Sequence, residues 1–457
     1  MPRPRSNTLP KPSATGPAAE PVANNELDAL FAPYVGLKRI ALSVSGGPDS
    51  LALMHLSLAW RALQIAGGPE FLVLTLDHGL RPEAAAEAAR VADTAARLGL
   101  RARILTREPP GLRVRIQETA RHDRYRLLSA AARQAGAEAL ATGHTLDDQA
   151  ETLLMRLSRG SGVDGLSAMA PVSKLGGLKL LRPLLEVAKA RLESSLRARG
   201  ITWTIDPSNS DPTFERPRLR AAMPALAAAG LAPKVLARSA RRLARARAAL
   251  EQITTEAAAR HVTVHDEGYF AIDRRGFESL PEEIRLRLLG RLIARLGTPG
   301  RPERMARLER LAAALATEPH PGASLAGCLV KAAGGRILVL REPGRSGLPR
   351  LTLRPGEALD WDRRCRVSLS IGSAAEVTIR ALEASELHGD LAAAAQASGI
   401  ARAALITAPS AWRGEALLAM PALALVSSEV AFTPTLALDA GSNAAVHDVE
   451  DTMEPQT

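Results

Sequence analysis

Residues 39–50 read Arg-Ile-Ala-Leu-Ser-Val-Ser-Gly-Gly-Pro-Asp-Ser, and this stretch decides the fold. The apolar run at 40–44 has the make-up of a buried strand. It stops abruptly at Ser45, Gly46, Gly47, Pro48, Asp49 and Ser50, and a helix-compatible run over 51–59 follows. Strand, glycine turn and helix N-terminus together build an anion pocket. The two glycines let the backbone turn its N–H groups inward, the serine hydroxyls add donors, and the helix dipole adds partial positive charge. No lysine follows the glycines, so this is not the G-x-x-x-x-G-K-[ST] loop that grips a β/γ-phosphate.

Outward from that loop, apolar strands alternate with amphipathic helices to about residue 206. Strands are expected at 40–44, 71–76, 102–105 and 139–142, with helices at about 83–98 and 116–135 between them. Repeated βαβ units predict a doubly wound α/β fold, a parallel sheet covered on both faces. Functional residues then belong at the carboxyl ends of the strands. Ser45, Asp77 with His78, and Gly143 with His144 all fall there, which makes Asp77, His78 and His144 candidates for the nucleotide alongside the loop.

A chain of 457 residues exceeds one ordinary core. The expected organisation is a disordered tail at 1–24, a nucleotide-binding catalytic domain at 25–216, and a mostly helical RNA-contacting domain at 217–345. A small α+β module at 346–440 and an acidic tail at 441–457 complete it. Helices are expected at 281–296 and near 303–316, and a hairpin at 325–340. No apolar run approaches a membrane span, and the start lacks the apolar core of a signal peptide, so a cytoplasmic protein with no membrane partner is expected. Cys328 and Cys365 are the only cysteines, which argues against a disulfide framework, a zinc site or a cysteine-held cluster.

The net charge of +11 favours a polyanionic partner, most simply nucleic acid. From Arg216 to Leu250 there is no acidic residue, while Arg216, Arg218, Arg220, Lys234, Arg238, Arg241, Arg242, Arg245 and Arg247 are basic. Lys234, Arg238, Arg241, Arg242 and Arg245 follow the spacing of a single helical stripe, with Leu236, Leu243 and Leu250 on another face. Solvated basic faces usually interleave acids, and this one does not, so phosphate contacts are the favoured reading. Aromatic residues make up only 3% of the chain, which disfavours recognition by extensive base stacking.

Three further segments carry candidate chemistry. Asp77 suits a ribose or a magnesium ion, or merely caps the next helix. Glu118, Arg121 and Tyr125 share a helix face, either toward substrate or as an exposed salt-bridged surface. Asp148 and Glu151, three apart at the start of a helix, can hold a cationic amine, accept its proton or coordinate a metal. The competing reading is that Thr145 and Asp148 form a capping box and the acids offset the dipole. Gly160, Gly162 and Gly165 spell G-x-G-x-x-G, but after a helix rather than at the opening of a βαβ unit, so no dinucleotide site is expected.

The Ser45–Ser50 loop resembles that of the PP-loop ATP pyrophosphatases, which cleave ATP between the α- and β-phosphates to adenylate a substrate. The ordered series is more specific. L-D-H-G-L-R at 76–81, E-x-A-R-x-x-R-Y at 118–125, G-H-x-x-D-D-Q-x-E-T at 143–152, R-G-S-G-x-x-G-L at 159–166, L-R-P-L-L at 181–185 and W-x-x-D-x-S-N-x-D at 203–211 resemble the tRNA(Ile)-lysidine synthetases. A weaker likeness continues at Leu325, Gly327 and Cys328 with Arg341 and Glu342, and fades after about 345.

The resemblance implies ligation of free lysine to C2 of the wobble cytidine in an isoleucine tRNA with a CAU anticodon. ATP and Mg²⁺ are the implied cofactors, an adenylated cytidine the implied intermediate, and a homodimer a possible assembly. It implies that Asp148 and Glu151 bind lysine and that Asp49 serves magnesium binding or proton transfer. Pro217 stands where the family often has Asn in its R-N-R-x-R motif. The competing readings are another PP-loop enzyme such as a thiolase, which commonly needs paired cysteines, a ligase for a small metabolite, and a non-catalytic RNA-binding protein.

Overall fold

The computed structural model describes residues 19–65, 67–77, 83–106, 116–203, 213, 215–298, 305–315, 322–344 and 347–438. They fall into two compact units that divide between Arg247 and Ala248. The first is built on a six-stranded sheet: β1 Arg39–Ser43, β2 Glu70–Asp77, β3 Arg101–Thr106, β4 Ala139–Thr142, β5 Val172–Leu175 and β6 Leu178–Leu181, in the order β3-β2-β1-β4-β6-β5. β1 pairs in parallel with β2 and with β4, β2 with β3, and β4 with β6, whereas β5 is an antiparallel edge strand. The fold is thus the α/β class expected, and all four expected strands are present.

The chain builds outward from β1 through β2 to β3, then returns to place β4 on the other side of β1. That reversal opens a crevice at the carboxyl ends of β1 and β4, the position where open α/β sheets bind ligands. Ile40, Leu42 and Val44 pack with Leu53, Met54, Trp60, Phe71 and Leu181 on one face, while Ala41, Leu74 and Leu140 pack with Tyr125 and Leu128 on the other. Tyr125 is therefore a core residue, not part of a substrate-facing surface. The side chains of Glu118 and Arg121 lie outside the described residues.

Three boundaries differ from those drawn from composition. Val22, placed in the tail, is buried, and its N–H donates to Ser195 Oγ at 2.8 Å, so the first unit takes in part of residues 1–24. The basic segment after residue 216 also belongs to the first unit as far as Arg247, because Leu236 and Ala240 pack against Ala150, Leu153 and Ala168.

The second unit joins the two segments that composition separates at 345/346. Its five-stranded antiparallel sheet runs β7 Val262–His265, β8 Tyr269–Asp273, β11 Arg336–Arg341, β10 Cys328–Ala333 and β9 Ala323–Leu325 in spatial order, with helices Glu282–Leu296 and Met305–Ala314 packed on it. Two small antiparallel sheets follow. Leu436 enters the core of the five-stranded sheet and Ala404 packs on Tyr269 and Leu340, which ties the segments together. The expected hairpin is β10–β11, and Cys328 and Cys365 are both free and buried. Among the described residues no single helix is long and apolar enough to cross a membrane.

Candidate active site

The loop after β1 has the expected form. Gly46 adopts a φ of +84°, and a Cβ there would lie 3.3 Å from Val91 Cγ2, so both backbone and space call for glycine. Gly47 caps helix Pro48–Leu63, and Pro48 takes the first helical position, where its missing N–H costs nothing. The serine hydroxyls close the loop on itself: Ser50 Oγ donates to Gly47 O at 3.0 Å and accepts from the Ser45 N–H at 3.1 Å, with Ser45 Oγ 3.3 Å away.

Helix Leu146–Leu157 starts beside it. Gly143, just past β4, brings the two starts together, since a Cβ there would lie 2.7 Å from Asp49 O and 3.1 Å from Ser50 Cα. Three helices, Pro48–Leu63, Leu146–Leu157 and Lys189–Arg197, begin at a cavity of about 300 Å³ lined by Asp49, Thr145, Asp147, Asp148, Glu151, Lys189, Arg220 and Met223. Helix N-termini carry partial positive charge, which suits an anionic ligand.

The capping-box reading of the acid pair is realised on one oxygen of Asp148, while its other oxygen and Glu151 face Arg220. Asp148 Oδ2 accepts from the Thr145 N–H and from Thr145 Oγ1, each at 2.8 Å, and Thr145 Oγ1 accepts from the Asp148 N–H at 3.3 Å, a complete capping box. Asp148 Oδ1 faces Arg220 at 3.7 Å. Glu151 is 3% exposed and accepts from Arg220 Nε at 2.6 Å and Nη2 at 3.1 Å. Burial would raise the Asp148 carboxyl, but His144, Arg216 and the hydrogen bonds from Thr145 outweigh it and hold the group below its ordinary range. Burial wins at Glu151 and raises it despite Arg220.

Burial also pushes Asp49 up to about 6, opposed by Lys189, whose Nζ is 3.4 Å from Asp49 Oδ2. Asp49 Oδ1 is buried with no hydrogen-bond partner. A folded-state value above 3.8 means that Asp49 contributes stability below pH 4, and that this is lost as pH rises through about 6. Asp49→Asn should therefore stabilise the ligand-free protein by about 1–2 kcal/mol at pH 8, a figure discounted for partial exposure, and by nothing at pH 4. Equal melting shifts at the two pH values would contradict this.

The remaining expected residues sort as follows. Asp77 ends β2 and does not line the cavity, and His78 lies outside the described residues. His144 Nδ1 is 2.8 Å from Thr142 Oγ1 at the end of β4. Lys234, Arg238, Arg241, Arg242 and Arg245 are all exposed on helix Pro233–His261, as the stripe predicted, with Leu236 buried and Leu243 partly buried against the first unit.

Helix Glu215–Ala228 starts two residues before Pro217, so the proline sits in the first turn, where an N–H has no intrahelical partner, and the helix still presents Arg216, Arg218 and Arg220. Arg218 is exposed and donates to Thr213 O at 3.0 Å, and Arg216 is half-buried. Arg220, expected as a phosphate contact, is paired with Glu151 and Asp148 at the cavity while its side chain stays 39% exposed. Gly160, with φ +70°, follows the end of helix Leu146–Leu157, and buried Arg156 donates to Gly165 O and Ala168 O at 2.8 and 3.0 Å, which holds the glycine-rich loop in a tight turn.

A family model described as a PP-loop domain matches residues 19–226. A tRNA(Ile)-lysidine synthase from Bradyrhizobium sp. strain BTAi1 is 48% identical over 332 residues, covering 70% of this chain and 92% of the relative. The chain belongs to the tRNA(Ile)-lysidine synthase family. A member from Ruegeria pomeroyi is 40% identical over 403 residues, covering 88% of this chain and 93% of its own. One from Rhodopseudomonas palustris is 46% identical, covering 73% and 99%.

Sequence reasoning missed Lys189, Asp147 and Met223 as cavity residues. Asp147 lies within the 143–152 motif, but nothing local marks the other two, since Lys189 is simply the first residue of its helix and Met223 a helical apolar residue. It also missed the β5–β6 hairpin, for which Gly176-Gly177, both at positive φ, was a usable signal.

Proposed function

We propose that this protein ligates free lysine to C2 of the wobble cytidine of a CAU-anticodon isoleucine tRNA, consuming ATP and releasing AMP and pyrophosphate in the cytoplasm. The observation that carries this is a cavity in which the end of the phosphate loop meets the Asp148–Glu151 pair, in a chain of this family. In the first step the cytidine O2 attacks the α-phosphorus and pyrophosphate leaves. In the second the lysine ε-amine attacks C2 and AMP leaves.

The Gly46–Gly47 turn and the helix start at Pro48 bind phosphate. Asp148 and Glu151 bind the ε-ammonium, and Glu151, raised by burial, is the better placed to take its proton. Arg220 must release Glu151 for the amine to reach it. Asp49 Oδ1, buried and unpartnered, fits one ligand of a magnesium ion arriving with the nucleotide. Among the described residues there is no group of three or more His, Cys, Asp or Glu able to hold a metal independently. Magnesium would neutralise the departing pyrophosphate.

The test is incubation with ATP, Mg²⁺, lysine and unmodified CAU-anticodon tRNA(Ile), then digestion to nucleosides and mass spectrometry. Cytidine condensed with lysine less one water, absent when lysine or ATP is omitted, is expected. AMP without that nucleoside would redirect the reading to another acceptor, and neither product would favour RNA binding alone.

The exposed stripe supports binding of tRNA through phosphates. Arg241 pairs with Glu186 at 2.8 Å, but both side chains are more than half exposed, so RNA can compete for it. Replacing Arg238, Arg241 and Arg242 together by Gln should lower the slope of log affinity against log salt by about 2 and weaken binding to all tRNAs alike. An unchanged slope in filter binding would place the RNA elsewhere.

A further inference from the structure

One cation in the cavity has no role in the scheme above. The loop Ser45–Ser50 contains no basic residue, whereas phosphate-binding loops of the G-K-[ST] kind carry their own lysine. The carboxylates of Asp49, Asp147, Asp148 and Glu151 outnumber Lys189 and Arg220 around the cavity, a poor field for a polyphosphate unless a cation stands at its phosphate end.

Arg220 is engaged bidentately by Glu151. Lys189 stands beside the loop instead. Its Nζ is 3.4 Å from Asp49 Oδ2, and Asp49 is the second residue of the helix that opens from the loop. Its backbone N–H donates to Asp147 Oδ2 at 2.8 Å, which clamps the start of helix Lys189–Arg197 to the start of helix Leu146–Leu157. The main chain is thus held while a flexible side chain, 39% exposed, reaches across to the loop. Its contact with Asp49 is longer than the 2.7–2.9 Å or so of a tight charged hydrogen bond, a loose pair that a phosphate oxygen can share or replace.

We propose that Lys189, supplied from a distant part of the chain, is the phosphate-binding lysine that the loop lacks. With ATP bound, Nζ contacts oxygens of the α- and β-phosphates. It stabilises the charge that passes to pyrophosphate as the bond from the cytidine O2 to the α-phosphorus forms and the bond from that phosphorus to the β-bridging oxygen breaks. This rests on the ATP-dependent reading above.

The test uses the full chain with ATP, Mg²⁺, lysine and tRNA(Ile), and follows AMP formation, the KM for lysine and thermal melting. Lys189→Met should slow AMP formation by about 100-fold or more, the scale of losing one preorganised charge-stabilising group, with the lysine KM and melting within narrow limits of wild type. Lys189→Arg, which restores charge but not shape, should recover AMP formation to within about tenfold of wild type. A Met variant as fast as wild type overturns the proposal, as does an Arg variant as slow as Met with melting lowered in both, the mark of a structural pair. A wild-type chain that forms no AMP overturns the ATP-dependent reading, and the role of Lys189 with it.

Discussion

Gly143→Ala is expected to reduce AMP formation by about 100-fold, the effect of moving a reacting constellation by a fraction of its own contact distance. The added methyl carbon would lie 2.7 Å from Asp49 O, 2.9 Å from Asp49 C and 3.1 Å from Ser50 Cα. Those are backbone atoms of the first turn of helix Pro48–Leu63, which cannot rotate aside as a side chain would. Either the helix start or the end of β4 must shift, and the loop and the Asp148–Glu151 pair separate. Overpacking of this kind costs about 1–3 kcal/mol, so a folded but poorly active protein with lowered melting is the expected result. An Ala variant with wild-type turnover would show that the two helix starts need not touch for catalysis.

The second large effect is on lysine. Asp148→Asn and Glu151→Gln should each raise the KM for lysine by about tenfold or more, the value of a hydrogen bond to a charged group, while ATP binding stays within about threefold. The two differ in side effects. Asp148→Asn keeps an oxygen for the Thr145 cap and so should retain most of the helix start. Glu151→Gln frees Arg220, which is exposed enough to turn into water, so little stability is lost. Lysine dependence unchanged in both variants would remove these carboxylates from the amine site and leave the cavity to the nucleotide alone.

Much of the site is legible in the chain because it depends on neighbours in sequence. Ser45 to Ser50 is a contiguous loop, and its glycine pair permits the positive φ that Gly46 adopts and the cap that Gly47 forms. Asp148 and Glu151 are one helical turn apart, so their shared face follows from helix geometry. The basic stripe is periodic, and its exposure followed. Thr145 illustrates the limit of local reading. Its spacing to Asp148 allowed a cap or a functional pair, and the structure shows the cap on one carboxylate oxygen while the other faces Arg220. Tyr125 shows a different limit, for its helix face could be read either way, and only packing against Leu74, Leu105 and Leu128 resolved it.

By itself the sequence determined the α/β class, the phosphate loop, the acid pair and the unbroken basic face, because strand, turn and helix signals and their periodicities act over a few residues. Only the tertiary structure decided which distant residues share the cavity. The return of the chain to place β4 beside β1 brings Gly143 against Asp49, Lys189 against the loop, and Arg220 onto Glu151. Those contacts span tens to more than a hundred residues. They are set by how two sheet faces bury their apolar side chains, a condition satisfied by the whole chain at once and written in no short segment of it.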